Sequence, residues 1–577
     1  MKLFKHVRYV SNLVRFSFNA NPLLYFSLGI SLFSVVVELL AMSSLLPLFD
    51  LISAGKPSIN TVVAKTIIYL GFPVSTKTLL WAFILLFSVR IFTQLIGQSL
   101  SMYMGKRVMA QLGSLAFKQI VYKLSLREIS ERSIGFFISL AGDESFRAST
   151  LITSLIQFTS TFALALFYYL AIFMYSPKTG FLVMLFLGCC LVALFWILKA
   201  SHNLGIRQTL ESRKSHSIFL ETLNNIKPVR AFSAEKYVSG IYRSILFGYT
   251  KILFLIDEVA LLTKLIPVLL LLVSFSVWLI LANHAIESIG LAFIMTIIVY
   301  LMRFFPTVGQ GVNLLIRIVS DAKSGKDVTE ILNTPSSSHD NFSKILGNIE
   351  TIALNDICFS YENTSKKILA NVNWRFKQGN SYALVGRSGI GKSTLIDILL
   401  KFYLPTDGNL SINNISISEV ADADIRKRII LVSQDAAIFD DTVINNVCMG
   451  IEATYAEVQI ACKLACINDV IENMPDRYEA RLQYQGKNLS GGQRQRIGIA
   501  RALLRIPDVL IFDESTSALD KKTQEAVVEN ILREYGNKIV IFVTHDPQIM
   551  SRVNEVVDLE KVNLASVSLS KNKKVTS

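Results

Sequence analysis

Six apolar runs, each long enough to cross a bilayer as a helix, occupy most of the first 310 residues of this chain. They lie at roughly 22–46, 78–100, 151–175, 179–199, 264–283 and 288–309. A spanning helix needs about 20 apolar residues, because lipid offers backbone N–H and C=O groups no partner outside the segment. The runs therefore predict a bundle of six membrane helices. Composition agrees: 51% of the 577 residues are hydrophobic and 18% charged, too apolar for an ordinary soluble enzyme. No cleavable signal peptide is evident, since the first run begins near Pro22 and is long enough to span.

The net charge of +14 is unevenly placed: residues 1–344 carry 31 Lys/Arg against 16 Asp/Glu, and residues 345–577 carry 27 against 28. A neutral second half argues against nucleic-acid binding, and basic loops facing an anionic leaflet explain the excess. Most of these cations sit in the N-terminus and in two polar stretches, about 101–150 and 200–263. The positive-inside rule puts those segments, and both chain ends, in the cytosol. Stretches this long have structure of their own. Their pattern is helical, and a helix of ~40 residues reaches ~60 Å. We expect the spans to continue as helices beyond the membrane.

The domain plan that follows is a transmembrane domain with helical extensions over 1–320 and a linker over 321–349, loosest at Pro335-Ser336-Ser337-Ser338. A second domain follows over 350–562, with a disordered Lys/Ser-rich tail over 563–577. Within the second domain, strand-like runs at Asn380–Val385, Val509–Phe512 and Ile539–Val543 alternate with helical ones. That alternation predicts a parallel α/β sheet. Of six cysteines, Cys462 and Cys466 lie four apart without a histidine or second pair. They read as one helix face rather than a metal site, and the domain as facing a reducing compartment.

Three segments carry chemistry. Gly386-Arg387-Ser388-Gly389-Ile390-Gly391-Lys392-Ser393-Thr394 fits the G-x-x-x-x-G-K-[ST] phosphate loop fully. Its glycines let backbone N–H groups approach phosphates, Lys392 reaches the β/γ-phosphates, and Ser393 is a Mg²⁺ ligand. Asp513 ends an apolar strand, as a Mg²⁺-holding carboxylate does. Glu514 follows directly and is the candidate general base for an attacking water. The third segment, Leu489-Ser490-Gly491-Gly492-Gln493, offers N–H donors at a helix start. ATP and Mg²⁺ are the implied cofactors.

The order of these motifs resembles the nucleotide-binding domain of the ATP-binding cassette transporters, and Leu489–Gln493 is similar to the family signature. The resemblance implies that Ser490, Gly491, Gly492 and Gln493 close over ATP held by the phosphate loop of a second subunit. It also implies an adenine-stacking role for Tyr361, Mg²⁺ sensing by Gln434, and a subunit-contact loop at Ser517-Ala518-Leu519-Asp520. His545, in Thr544-His545-Asp546, resembles the γ-phosphate switch histidine. One departure stands at Gln483-Tyr484-Gln485-Gly486, where Tyr484 occupies a position often acidic in exporters of this family; that puts the coupling made there in question.

The first half resembles the six-helix exporter type of the same family. Ser133-Ile134-Gly135 with Asp143 is similar to its first intracellular loop, and Glu221–Leu223 through Glu235 to its second. The implied fold is an α-helical six-span transmembrane domain followed by an α/β P-loop nucleotide-binding domain. The implied unit is a half-transporter working as a homodimer in a bacterial inner membrane. Glu38, Arg90 and Arg303 lie within spans, and Lys264 at the start of one. Charges at that depth tend to face a cavity or one another. Guanidinium forks suit phosphate, so Arg303 and Arg90 are candidate contacts for an anionic head group, with Glu38 pairing one of them. The segment Glu38 to Pro47 is similar to the first span of bacterial lipid-linked oligosaccharide flippases. Fewer than 25 residues precede span 1, which argues against a leader-processing exporter. The expected cargo is a lipid-linked glycan or other anionic lipid, with peptides and hydrophobic drugs as the alternative. A gating protein that does not pump stays open, although intact Glu514 and His545 argue against it.

Overall fold

The computed structural model describes residues 2–54, 61–281, 291–334, 344, 346–361 and 367–563. It divides into two compact units, Met1–Pro335 and Ser336–Ser577.

The first unit is helical. After an amphipathic helix, Lys2–Ala20, come Leu23–Ser43 with Leu45–Ala54, then Thr76–Tyr122, Ser145–Tyr175, Pro177–Asn224, Glu235–Leu281 and Leu291–Leu332. Four stretches among the described residues are long and apolar enough to cross a membrane: Leu23–Leu51, Thr76–Tyr122, Ile134–Met174 and Ile294–Leu332. The predicted span 179–199 falls within Pro177–Asn224, and 264–283 falls, as far as residue 281, within Glu235–Leu281, continuous helices of 48 and 47 residues; 282–283 lie outside the described residues. The polar stretches thus continue the spans as helices. Ser75 caps Thr76–Tyr122 with a reciprocal capping box, and Ser176 with Pro177 starts the 48-residue helix.

Buried ion pairs fasten the extensions together. Arg147 donates to Asp321 at 2.8 Å, to Thr209 at 2.8 Å and to the Ser320 carbonyl at 2.8 Å. Arg213 donates to both oxygens of Glu144 at 2.8 and 3.0 Å and also pairs with Asp327. Glu144 closes a single π-helical turn, Leu140–Glu144, that delivers its carboxylate inward. These contacts explain why the last helix runs to Leu332, past the point where the sequence suggested a linker. Asp327 is buried and Asp321 half-buried, each by a partner far away in sequence. Most of the remaining expected linker and the expected tail lie outside the described residues.

The second unit is built on two sheets. Strands β1 (Thr351–Phe359), β2 (Leu369–Lys377), β3 (Ser381–Val385), β4 (Asp407–Ile412), β5 (Ile415–Ser416), β6 (Ile429–Val432), β7 (Val509–Asp513), β8 (Ile539–Val543) and β9 (Glu555–Asp558) follow in order. The first sheet, ordered β2-β1-β4-β5, is antiparallel; the second, ordered β6-β7-β8-β3-β9, is wholly parallel. In β7 and β8 every side chain is apolar until the end, because both faces are covered. Ile511 and Ile541 face one core while Phe512 and Phe542 face another. The two Phe rings are register partners and stack at 5.0 Å. Since the sheet is parallel, the loops after β3, β6, β7 and β8 all leave from one edge, the usual ligand edge of such sheets.

Candidate functional site

That edge assembles the predicted residues. The phosphate loop leaves β3 and turns into the helix Lys392–Leu399. Gly391 caps this helix with a φ of 110°, and a Cβ there would lie 2.8 Å from Leu369 Cδ2, so only glycine fits. The Lys392 ammonium donates to the Gly386 carbonyl and lies 3.2 Å from His545 Nε2, although 153 residues separate the two. Gly386, Ser388 and Gly389 complete the loop, and Glu560 fixes its start by accepting from the Arg387 N–H at 2.9 Å. Sequence reading missed Glu560.

Across the edge, β7 delivers Asp513 and then Glu514. Glu514 has a φ of 47°, a left-handed backbone that is uncommon outside glycine. Its N–H is held by the Val543 carbonyl at 3.1 Å, so pairing with β8 sustains the conformation. Gln434, just past β6, donates to Glu514 Oε2 at 3.4 Å. Burial and the neighbouring Glu514 charge push the Asp513 carboxyl up, with Lys392 opposing. Asp397, one helical turn beyond Ser393, is raised to about 6 by burial and by Asp513. Helical spacing from the phosphate loop was the signal for it in the sequence. Crowded carboxylates beside a serine hydroxyl and an amide form a hard-oxygen donor set that suits Mg²⁺, which takes one or two carboxylates plus phosphate oxygens.

This crowding has a measurable consequence. A carboxyl whose folded pKa is raised binds its proton more tightly in the folded state, so stability falls as pH rises from the ordinary carboxylate range through about 6. Asp397→Asn removes that penalty. The nucleotide-free variant is expected to melt higher than wild type at pH 8, with the gain shrinking as pH falls through about 6. Equal melting temperatures at pH 8 would contradict this account of Asp397.

The signature segment starts the helix Gly491–Leu503. Ser490 caps it: its Oγ accepts from Gln493 N–H at 3.3 Å and Gln493 Oε1 accepts from Ser490 N–H at 2.8 Å. A Cβ on Gly492 would meet the Ala518 carbonyl at 3.0 Å, so glycine lets this helix lie against the 517–520 loop. Asp520 caps the next helix, Lys521–Glu534, through Thr523 N–H at 3.0 Å. Tyr361 lies edge-on to Phe359 and Tyr403, with its hydroxyl 3.3 Å from Thr394 Oγ1. Tyr484 is 59% exposed, with Lys487 Nζ 5.8 Å from its ring centroid. The structure thus brings Lys392 to His545 and Gln434 to Glu514. Of the signature residues, Gly491 and Gly492 lie against the 517–520 loop, and Ser490 and Gln493 bond each other.

In the first unit a cavity of about 560 Å³ opens among Leu23–Ser43, Thr76–Tyr122, Ser145–Tyr175 and Leu291–Leu332. Glu38, 3% exposed, accepts from Arg90 Nε at 3.1 Å on one oxygen and from the Tyr168 hydroxyl at 2.6 Å on the other. Tyr168 was not singled out from sequence, because a tyrosine in a span is ordinary. Arg303 and Arg90 both lie over the same ring, 5.5 and 5.4 Å from the Phe87 centroid. Among the described residues no carboxylate pairs with Arg303. The rest of the lining carries no charge: Gln94, Gln98, Gln157 and Gln310 stand among hydroxyls, with apolar residues such as Val35, Leu164, Val299 and Met302 between them. The Lys264 side chain lies outside the described residues.

A helical unit with four membrane-length apolar stretches among its described residues, and a phosphate loop, signature segment and strand-end carboxylates in the unit that follows, defines a membrane-embedded transport ATPase. Comparison with known families agrees: the ABC transporter transmembrane region matches residues 24–308 and the ABC transporter domain residues 369–517. The chain belongs to the ATP-binding cassette transporter family and is an integral membrane ATPase. Similar proteins include the lactococcin-G-processing and transport ATP-binding protein LagD of Lactococcus lactis subsp. lactis, 26% identical over 81% of this chain and 66% of that protein. The alpha-hemolysin translocation ATP-binding protein HlyB of Escherichia coli is 28% identical over 91% of this chain and 74% of that protein. The chain therefore spans about two thirds to three quarters of these relatives' lengths. The fold is similar to that of a bacterial Atm1-family ABC exporter with ATP bound, with a TM-score of 0.78 and 21% identity, over 93% of this chain and 94% of that one.

Proposed function

We propose that the chain is one half of an ATP-driven exporter, completed by a second copy, that carries an anionic amphiphile outward from the cytosolic side. A lipid-linked glycan is the favoured cargo. In this reading Ser393, Gln434 and Asp513 hold Mg²⁺ beside ATP, and Lys392 and His545 face the γ-phosphate. Glu514 takes a proton from the attacking water, and Tyr361 stacks on adenine. Ser490–Gln493 and Asp520 act on the ATP held by the other copy.

The observation that carries the cargo reading is the state of the cavity's charges. Glu38 neutralises Arg90, and Tyr168 occupies the second carboxylate oxygen. Arg303 is left as a guanidinium over an aromatic ring, beside amides and hydroxyls that suit a polyol. A cation in that setting favours a phosphate-bearing ligand. The sequence offered Arg90 and Arg303 as equal candidates; the ion pair favours Arg303.

The test is ATP-dependent flipping of a lipid-linked oligosaccharide in proteoliposomes, with Glu514→Gln as the inactive control. Arg303→Ala is expected to reduce flipping, and the ratio of stimulated to basal ATP turnover, about tenfold, the worth of one charge-assisted hydrogen bond. Undiminished flipping by Arg303→Ala would remove the cavity role. A second reading, peptide export, draws support from the relatives, whose names concern lactococcin G and alpha-hemolysin. ATP turnover stimulated by peptides, with no glycolipid flipping, would favour it.

A further inference from the structure

Gln495 lies two residues beyond the signature, on the helix Gly491–Leu503, and is only 5% exposed. Its Nε2 donates to the Gln434 carbonyl at 3.1 Å, and its Oε1 accepts from the Ala518 N–H at 3.2 Å. Both partners are backbone groups of fixed polarity, so the orientation of the amide is determined by them. A carboxamide donates through one end and accepts through the other while neutral, as both partners here require. Glutamine has the length to do both from this helix.

The partners are two loops of the candidate ATP site. Gln434 reaches Glu514 through its side chain at 3.4 Å. Ala518 belongs to the 517–520 loop, and that loop's carbonyl at 518 lies against Gly492. The Gln495 amide is therefore a buried cross-tie joining the signature helix, the Gln434 segment and the 517–520 loop.

We propose that Gln495 is a positioning residue for ATP hydrolysis: it keeps the Gln434 side chain in register with Glu514 and makes the 517–520 loop follow the signature helix. The proposal rests on the reading of Gln434 and Glu514 as parts of the hydrolytic site. Gln495 itself touches neither nucleotide nor water in that reading, so its loss acts on turnover rather than on nucleotide affinity.

The experiment is steady-state ATP turnover by the purified full-length protein, for Gln495→Glu, Gln434→Ala and the double variant. Gln495→Glu keeps the size and the bond from Ala518 but sets a carboxylate oxygen against the Gln434 carbonyl. Its kcat is expected to fall about tenfold with KM for ATP within about twofold of wild type. Because Gln495 acts through Gln434, the double variant is expected to lose clearly less than the product of the two single losses. A merely structural role predicts multiplied losses, and that result would overturn the proposal. So would a kcat for Gln495→Glu within twofold of wild type while Gln434→Ala is impaired. If Gln434→Ala itself turns over normally, the reading of the hydrolytic site fails instead. Should Gln495→Glu not bind nucleotide, Gln495→Met, which keeps length and apolar packing and removes both bonds, carries the same comparison with the same two outcomes.

Discussion

Glu514→Gln is expected to lower ATP turnover at least about 100-fold while leaving ATP binding intact, the usual scale for removing a general base. The amide is isosteric, so the pairing of the residue's N–H with Val543 survives, as does the left-handed backbone at 47°. Gln434 can still reach the side-chain oxygen. What disappears is the capacity to accept a proton. The measurement is single-turnover hydrolysis with a binding isotherm for ATP on the same preparation. Near-normal turnover would show that another group activates the water.

The second large effect concerns stability of the membrane unit. Glu38→Ala leaves the Arg90 guanidinium without a counter-charge and the Tyr168 hydroxyl without its acceptor. Removing one partner of a buried pair costs about 3–5 kcal/mol, much of it from the charge left behind. The expected result is a sharp fall in the melting temperature of the detergent-solubilised protein. Glu38→Gln, which keeps one acceptor oxygen for Arg90 and turns its amide NH2 towards a Tyr168 hydroxyl that can accept instead, should fall less. Replacing Glu38 and Arg90 together by alanine should recover part of the loss, since no lone charge remains. If Glu38→Ala melts with wild type, the pair contributes nothing to the fold.

These two sites differ in how far the sequence disclosed them. Glu514 was readable because a buried parallel strand is apolar on both faces. Val509–Phe512 therefore ends visibly at Asp513, and β8 was delimited at Ile539 and Val543 for the same reason. The antiparallel sheet was not readable. β1 is broken by Asn355-Asp356, with Asp356 at a φ of 51°, and β2 opens on Leu369-Ala370-Asn371 with Asn371 likewise at 51°. Polar residues that tolerate a left-handed backbone look like turns in a one-dimensional pattern. The Glu38–Arg90 pair was legible because charges at membrane depth seek partners, but two arginines were available and spacing does not choose between them. Gln495 was beyond reach of sequence reading for a different reason. Its partners are main-chain atoms of residues 61 and 23 positions away, and a main-chain atom has no residue type to recognise.

The unbroken helices of the first unit give it a mechanical property of its own. A 48-residue helix is ~72 Å long, so a tilt of ~5° about one end displaces the other by ~6 Å. The buried Arg147 and Arg213 clusters bind three of these rods side by side near their cytosolic ends. Rods clamped in that way form a lever, in which a small angular change at the clamped ends corresponds to an ångström-scale displacement at the far ends without any helix having to bend.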